Sequence, residues 1–309
     1  PSGRLVSGGM VFIHKFMSNL VFGHSKQKSY LQKALDNKRL SHAYLFHGPE
    51  NVGKFTFAKE FAEFLPLDSK PVILSSEHTL VSKKDKRKDI PIEDIRELKR
   101  LFSLAPKGDK WRVAIIDEAD KMSAEAANAF LKLLEEPGEQ VLFILVTAEK
   151  ESLLPTIVSR TQPIGFSLVG EEDMKKLAAI LSPDQKMQEL ACWFAAGRPG
   201  VLAKLLFQKD ILEKEKKLLK ELHGILISQD LPKAFLLSEK IASSENERDK
   251  TIEYLLRLIR AKLLKGEIKP NPLELVEKIK NISRISSMLN TSNVNPRLAL
   301  DNIFLEAIG

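Results

Sequence analysis

The chain has 309 residues, 43% of them apolar, with a single cysteine and a formal net charge of +7, which is enough material for two or three folded domains. One cysteine excludes a disulfide framework and a thiolate zinc site, the six histidines show no ligand spacing, and no run of about 18 apolar residues exists to cross a bilayer. The positive balance suits an acidic partner but identifies none.

Residues 1–20, opening PSGRLVSGG, are read as a cloning remnant or N-terminal extension, with native sequence starting at Met10 or Met17, and are set aside. Nothing there resembles a secretory leader, so a cytoplasmic protein is expected. From 21 to 166, helical patterns alternate with short apolar runs: AYLF (43–46), VIL (72–74), VAII (113–116) and LFILVT (142–147). This rhythm predicts an α/β domain whose parallel sheet is covered by helices, with ligands at the carboxyl ends of the strands.

Directly after AYLF, Gly48, Gly53 and Lys54 fall in the G-x-x-x-x-G-K spacing of a phosphate-binding loop. There the backbone N–H groups and the following helix N-terminus cradle phosphate oxygens, and the lysine reaches the outer phosphates. Asn51, Val52, Phe55 and Thr56 complete the stretch read as nucleotide-binding. Phe57, Phe61 and Phe64 share one face of the helix that follows. The pattern breaks at Phe55, where Ser or Thr should hold magnesium, because a phenyl ring offers no oxygen to that cation. Thr56 is one residue on, rotated by about 100° around the helix. ATP or ADP is the ligand the loop implies; whether it binds is left open, as is the reading of an ordinary strand-turn-helix corner.

Further along, KKDKRK at 83–88 is a charged loop with two readings, a solvated surface or phosphate contacts to DNA. The segment WRVAIIDEAD ends an apolar strand in carboxylates. Asp117 is placed to hold a magnesium shell and Glu118 to orient or deprotonate water; the alternative is a pair of acids capping a strand end. Thr147 closes LFILVT. In LLPTIVSRT, Pro155 can open a short helix, Ile157 and Val158 can anchor it, and the chain turns at Arg160. Residues 167–208 read as a small helical unit containing the GRPG turn with Arg198, and Cys192 in LACWF as a buried small hydrophobe. From 209 to 309 long amphipathic patterns predict an all-helical domain.

HAYLFHGPENVGK, IPIEDIRELKRLF, VAIIDEADKMSAEAANAFLKLLEEP, LLPTIVSRT and NPRLALDNIFLEA resemble successive signatures of bacterial clamp-loader subunits of DNA polymerase III, of the delta-prime kind. The resemblance runs from about residue 21 to the end of the chain. It implies an AAA+ domain (21–166), a helical lid (167–208) and a helical collar (209–309). The implied partners are gamma/tau-type and delta-type subunits in a hetero-pentameric ring, the sliding clamp, and primer-template DNA held through the ring, with no membrane. Position by position, it makes Thr147 the first sensor, Arg198 the second sensor on the lid, and Arg160 an arginine finger acting in trans on a neighbour's ATP; the other reading of Arg160 is an arginine paired with a local carboxylate. Thr161 stands where the family has cysteine, which leaves the arginine's role intact. The family's four-cysteine zinc module is missing between the P-loop helix and the next strand, so no zinc is expected. Phe55 suits a subunit that does not hydrolyse ATP, with Glu118 retained as a non-working base. The alternative is an active gamma-type ATPase in which Thr56 rescues magnesium.

Overall fold

The computed structural model describes residues 21–78, 80–81, 89–103, 108–265, 272–291 and 294–308. The N-terminal extension at 1–20 and the basic run at 83–88 lie outside the described residues. The chain divides into two compact units, 1–207 and 208–309.

In the first unit the elements run α1 (Ser25–Asp36), β1 (Ala43–His47), α2 (Lys54–Phe64), β2 (Val72–Leu74), α3 (Ile92–Phe102), β3 (Arg112–Ile116), α4 (Ala124–Glu135), β4 (Val141–Thr147), α5 (Pro155–Ser159) and β5 (Gln162–Gly165). Three helices follow: α6 (Glu171–Leu181), α7 (Gln185–Ala195) and α8 (Pro199–Phe207). The strands form one parallel sheet in the order β2-β3-β4-β1-β5. All residues of β4 are buried, as expected of a central parallel strand covered on both faces.

The strand period of two sorts the core into two layers. Ala43, Leu45, Ile116, Phe143 and Leu145 face one way, against Ile95, Leu98, Phe130, Leu134 and Ile157 of α3, α4 and α5. Tyr44, Phe46, Ile115, Ile144 and Val146 face the other, against Leu31 of α1 and Phe57 and Phe61 of α2. All four strands read from the sequence are present. The fifth, β5, is not legible there: only Ile164 of its four residues is buried. Pro163 lacks the N–H that a central strand needs, and β5 is an edge strand, where proline is tolerated.

Local rules account for the helix starts. Ser123 caps α4 by accepting from Ala126 N at 3.1 Å, and Asp184 caps α7 by accepting from Lys186 N at 2.9 Å. Proline at the opening of α5 fills a position whose N–H needs no partner. Cys192 is half-buried rather than fully buried, its Sγ lying 3.7 Å from Met174 O, because the α7 face it occupies is only partly covered by α6.

The second unit is all helical: α9 (Lys209–Ser228), α10 (Leu231–Ile241), α11 (Glu245–Lys265), α12 (Pro272–Thr291) and α13 (Pro296–Ile308). Leu212, Leu222 and Ile225 of α9 and Leu300, Ile303 and Phe304 of α13 are buried, the spacing of amphipathic helices turned inward. Among the described residues, one buried charged group sits with them. Glu215 is 6% exposed and lies 2.7 Å from Lys250 Nζ, while Tyr254 Oη donates to its other oxygen at 3.0 Å. Burial and then the neighbouring carboxylate push the Tyr254 ionisation far up, so the phenol stays a donor.

Glu215→Ala removes the acceptor of both partners and is expected to cost about 2 kcal/mol, within the range for stranding a buried donor. Glu215→Gln, which keeps an acceptor for Tyr254, should lose less. Urea denaturation of the full chain measures both; equal loss in the two variants would mean that volume, not hydrogen bonding, is what Glu215 supplies.

Candidate nucleotide site

At the carboxyl ends of β1, β3 and β4 a cavity of about 600 Å³ opens between the P-loop and helices α6 and α8. Its wall includes Asn51, Val52, Gly53, Lys54, Phe55 and Thr56 from the loop, Asp117 and Glu118 from the end of β3, and Thr147 from the end of β4. These sequence-separated candidates are therefore brought to one place. Three are not: Gly48, Arg160 and Arg198 do not line it.

The P-loop conformation depends on glycine. Gly48 has φ +133° and packs so closely that a Cβ there would lie 2.1 Å from Phe166 O. Gly53, at φ +99°, precedes α2, and a Cβ there would meet nothing within 4 Å, so its surface faces open space. Asn51 is also left-handed, at φ +60°, a conformation asparagine tolerates better than most residues. Behind the loop, the buried His24 ring is hydrogen-bonded to Val52 O at 2.9 Å and stands edge-on to Phe166, centroids 4.8 Å apart. Burial holds its pKa below the ordinary value. In front, Gly200 N of α8 donates to Asn51 O at 2.9 Å, which ties the first turn of α8 to the loop.

The charged groups of the cavity are engaged with one another and with the backbone. Lys54 is buried, and its ammonium donates to Gly48 O at 2.6 Å and Pro49 O at 2.7 Å. Burial lowers its pKa, opposed by the charges of Asp117, Glu50 and Asp120. Burial raises the pKa of Asp117, opposed by the hydrogen bond from Glu118 N, which reaches Asp117 Oδ1 at 3.1 Å. Glu118 is left-handed, at φ +52°. Its carboxylate accepts a short hydrogen bond from Ser76 Oγ and one from Lys121 Nζ. Burial pushes its pKa up, but the hydrogen bonds from Lys121 and Ser76 outweigh it and the net shift is downward. Thr147, 2% exposed, places Oγ1 2.6 Å from Asp120 Oδ1.

Asp120, Ser76, Lys121 and Gly200 are site residues that the sequence reading does not select. For Asp120 and Lys121 a signal exists, since both fall in the polar run just after β3. Ser76 follows β2 by two residues at the same sheet edge. For Gly200 only the tertiary contact reveals it.

Arg198 is partly buried and immediately precedes α8, whose Pro199, Gly200 and Ala203 line the cavity instead. Arg160 ends α5, where Nη1 donates to Thr156 O at 3.2 Å and Nη2 lies 2.9 Å from Glu135 Oε1. Thr161 is buried and its hydroxyl donates to Val158 O at 3.1 Å, a bond within the same turn.

An adenine nucleotide fits the residues present in part. The volume is that of a small-molecule site, and the loop amides with Lys54 suit phosphate oxygens. The metal half fits less well, because Phe55 lines the cavity and has no oxygen to give. Among the described residues no group of three or more His, Cys, Asp or Glu side chains is arranged to hold a metal ion.

Residues 23–169 match the family described as DNA polymerase III, delta subunit. The chain is homologous to subunits of DNA polymerase III. It is 29% identical over 273 residues to the DNA polymerase III subunit tau of Bacillus subtilis, an alignment covering 83% of this chain and 47% of that protein. It is 32% identical over 148 residues to the delta' subunit of the same organism, covering 44% of this chain and 45% of that one. The chain thus spans about half the length of these relatives. A solved structure of a gamma subunit-related protein from Thermotoga maritima is 22% identical with a TM-score of 0.46, covering 90% of this chain and 98% of that one. The fold is an α/β arrangement around a five-stranded parallel sheet, with the P-loop between β1 and α2. No helix among the described residues is long and apolar enough to cross a membrane.

Proposed function

We propose that this chain is a delta-prime-type subunit of a DNA polymerase III clamp loader. In this reading it does not hydrolyse ATP itself but presents Arg160 to the ATP of an adjacent subunit, within a ring that places the sliding clamp on primer-template DNA. The observation that carries it is Phe55. The helix position that should supply a hydroxyl to magnesium instead adds an aromatic wall to the cavity, so the site keeps the groups that hold phosphates and lacks a direct ligand for the metal. The state of Glu118 supports the same reading, since the hydrogen bonds from Ser76 and Lys121 stabilise its ionised form and make it a weaker base toward water. The similarity to a delta' subunit agrees with it, and helices α9 to α13 would form the collar, α6 to α8 the lid.

A gamma-type ATPase is the second reading. The longer similarity to a tau subunit favours it, as does the convergence of Lys54, Asp117 and Thr147 on one cavity, with Thr56 also on its wall.

The two readings separate in a turnover measurement. The isolated full chain is expected to hydrolyse ATP at background rate with and without DNA, and Phe55→Thr is expected to strengthen binding of the magnesium-nucleotide complex relative to nucleotide in EDTA. Steady magnesium-dependent turnover that disappears in Lys54→Ala would select the ATPase instead.

A further inference from the structure

The guanidinium of Arg160 is not presented free. Both of its terminal nitrogens are turned back onto the chain, Nη1 to Thr156 O at 3.2 Å and Nη2 to Glu135 Oε1 at 2.9 Å. The two backbones that carry the pair are fixed. Glu135 is the last residue of α4 and Arg160 follows the last residue of α5, and Leu134 beside one and Ile157 near the other are buried in the same core layer. The side chains are not fixed: Arg160 is 38% and Glu135 49% exposed, so both can change rotamer at little cost.

We infer that Glu135 is a parking residue for Arg160, a carboxylate that holds the guanidinium on its own chain until a neighbour's phosphate displaces it. This rests on the reading of Arg160 given under Proposed function. A phosphate oxygen and a carboxylate oxygen compete for the same N–H edge of arginine. Glu135 therefore lowers the free energy of the waiting state and opposes engagement by the strength of the pair. An exposed pair of this kind is worth about 0.2–1 kcal/mol, which converts to about 1.4- to 5-fold in the engagement equilibrium. Glu135 tunes the finger; it does not switch it off. The Thr156 carbonyl is a neutral acceptor and holds more weakly.

The test is DNA-stimulated ATP hydrolysis by a ring reconstituted from the full chain and its gamma/tau-type and delta-type partners. Wild type, Glu135→Gln, Arg160→Ala and the double variant are compared at low and high salt. Glu135→Gln is expected to raise hydrolysis about 1.4- to 5-fold at the one ATP site facing this subunit at low salt, and the ring's total by a smaller factor, with the gain shrinking at high salt as the pair is screened. The double variant should match Arg160→Ala, because the gain runs through the guanidinium. No gain, or a loss, in Glu135→Gln while Arg160→Ala lowers hydrolysis would overturn the parking role and leave the finger reading intact. A gain that persists in the double variant would also overturn it. No effect of Arg160→Ala would instead remove the finger reading on which it rests.

Discussion

Arg160→Ala in a reconstituted ring is expected to silence hydrolysis at the one ATP site facing this subunit, to lower total ATPase only partly, and to reduce clamp loading further. A finger arginine is worth about 10³–10⁵ in rate at its own site, because a fixed cation neutralises charge that spreads over the transferring phosphoryl group. With the other sites still turning over, the sum falls by their missing neighbour alone. The structure gives the variant a mild structural consequence. Arg160 is partly exposed, and what it loses is an exposed ion pair with Glu135 and a weak bond to Thr156 O, so the chain should fold and assemble as before. Arg160→Lys should not restore activity, since a point charge on a flexible stem cannot reproduce the planar fork. Site-resolved hydrolysis and clamp loading measured together decide the matter, and loading at wild-type level in both variants would leave this subunit a scaffold.

Gly48→Ala should destabilise the first unit by about 3 kcal/mol or more. Two costs add at this position. The new Cβ would lie 2.1 Å from Phe166 O and 3.0 Å from Phe166 C, backbone atoms that cannot rotate away, and forced overpacking alone costs about 1–3 kcal/mol. The φ of +133° lies where an L side chain is itself unfavourable, a further 1–2 kcal/mol or so. Relief would require β1 and the segment after β5 to separate, yet they are joined by the bond from Phe166 N to His47 O at 2.7 Å. Gly53→Ala makes the control, because its Cβ would meet no atom within 4 Å and only the backbone term remains. Urea midpoints should fall in the order wild type, Gly53→Ala, Gly48→Ala; equal midpoints for the two alanine variants would show that Phe166 yields.

Much of the site was legible from local signals. Gly48, Gly53 and Lys54 carry a spacing with its own mechanism, and Asp117 and Thr147 end apolar runs that could only be strands of a covered sheet. Register then delivers them together: Ile116 pairs with Leu145 and His47 with Thr147, so the residues just beyond these strands share one edge. Arg160 was legible as the end of a proline-started helix, and the α/β class followed from the alternation of patterns alone.

What the sequence by itself determined was therefore four of the five strands and their alternation with helices, the loop that can cradle phosphate, and the loss of a metal ligand at Phe55. Each is written in residues close together in the chain, where backbone preference and hydrophobic period act directly. Tertiary structure decided the rest. It made a strand of Gln162–Gly165, whose Pro163 and single buried residue carry no strand signal until an open sheet edge accepts them. It also chose the partners of the polar groups: Ser76 for Glu118, 42 residues apart, Asp120 for Thr147, 27 apart, Glu135 for Arg160, and Asn51 for the first turn of α8. Such pairs leave no periodicity to read, because a hydrogen bond or ion pair needs only that two side chains arrive within about 3 Å, and which ones arrive is set by sheet register and helix packing across the whole unit.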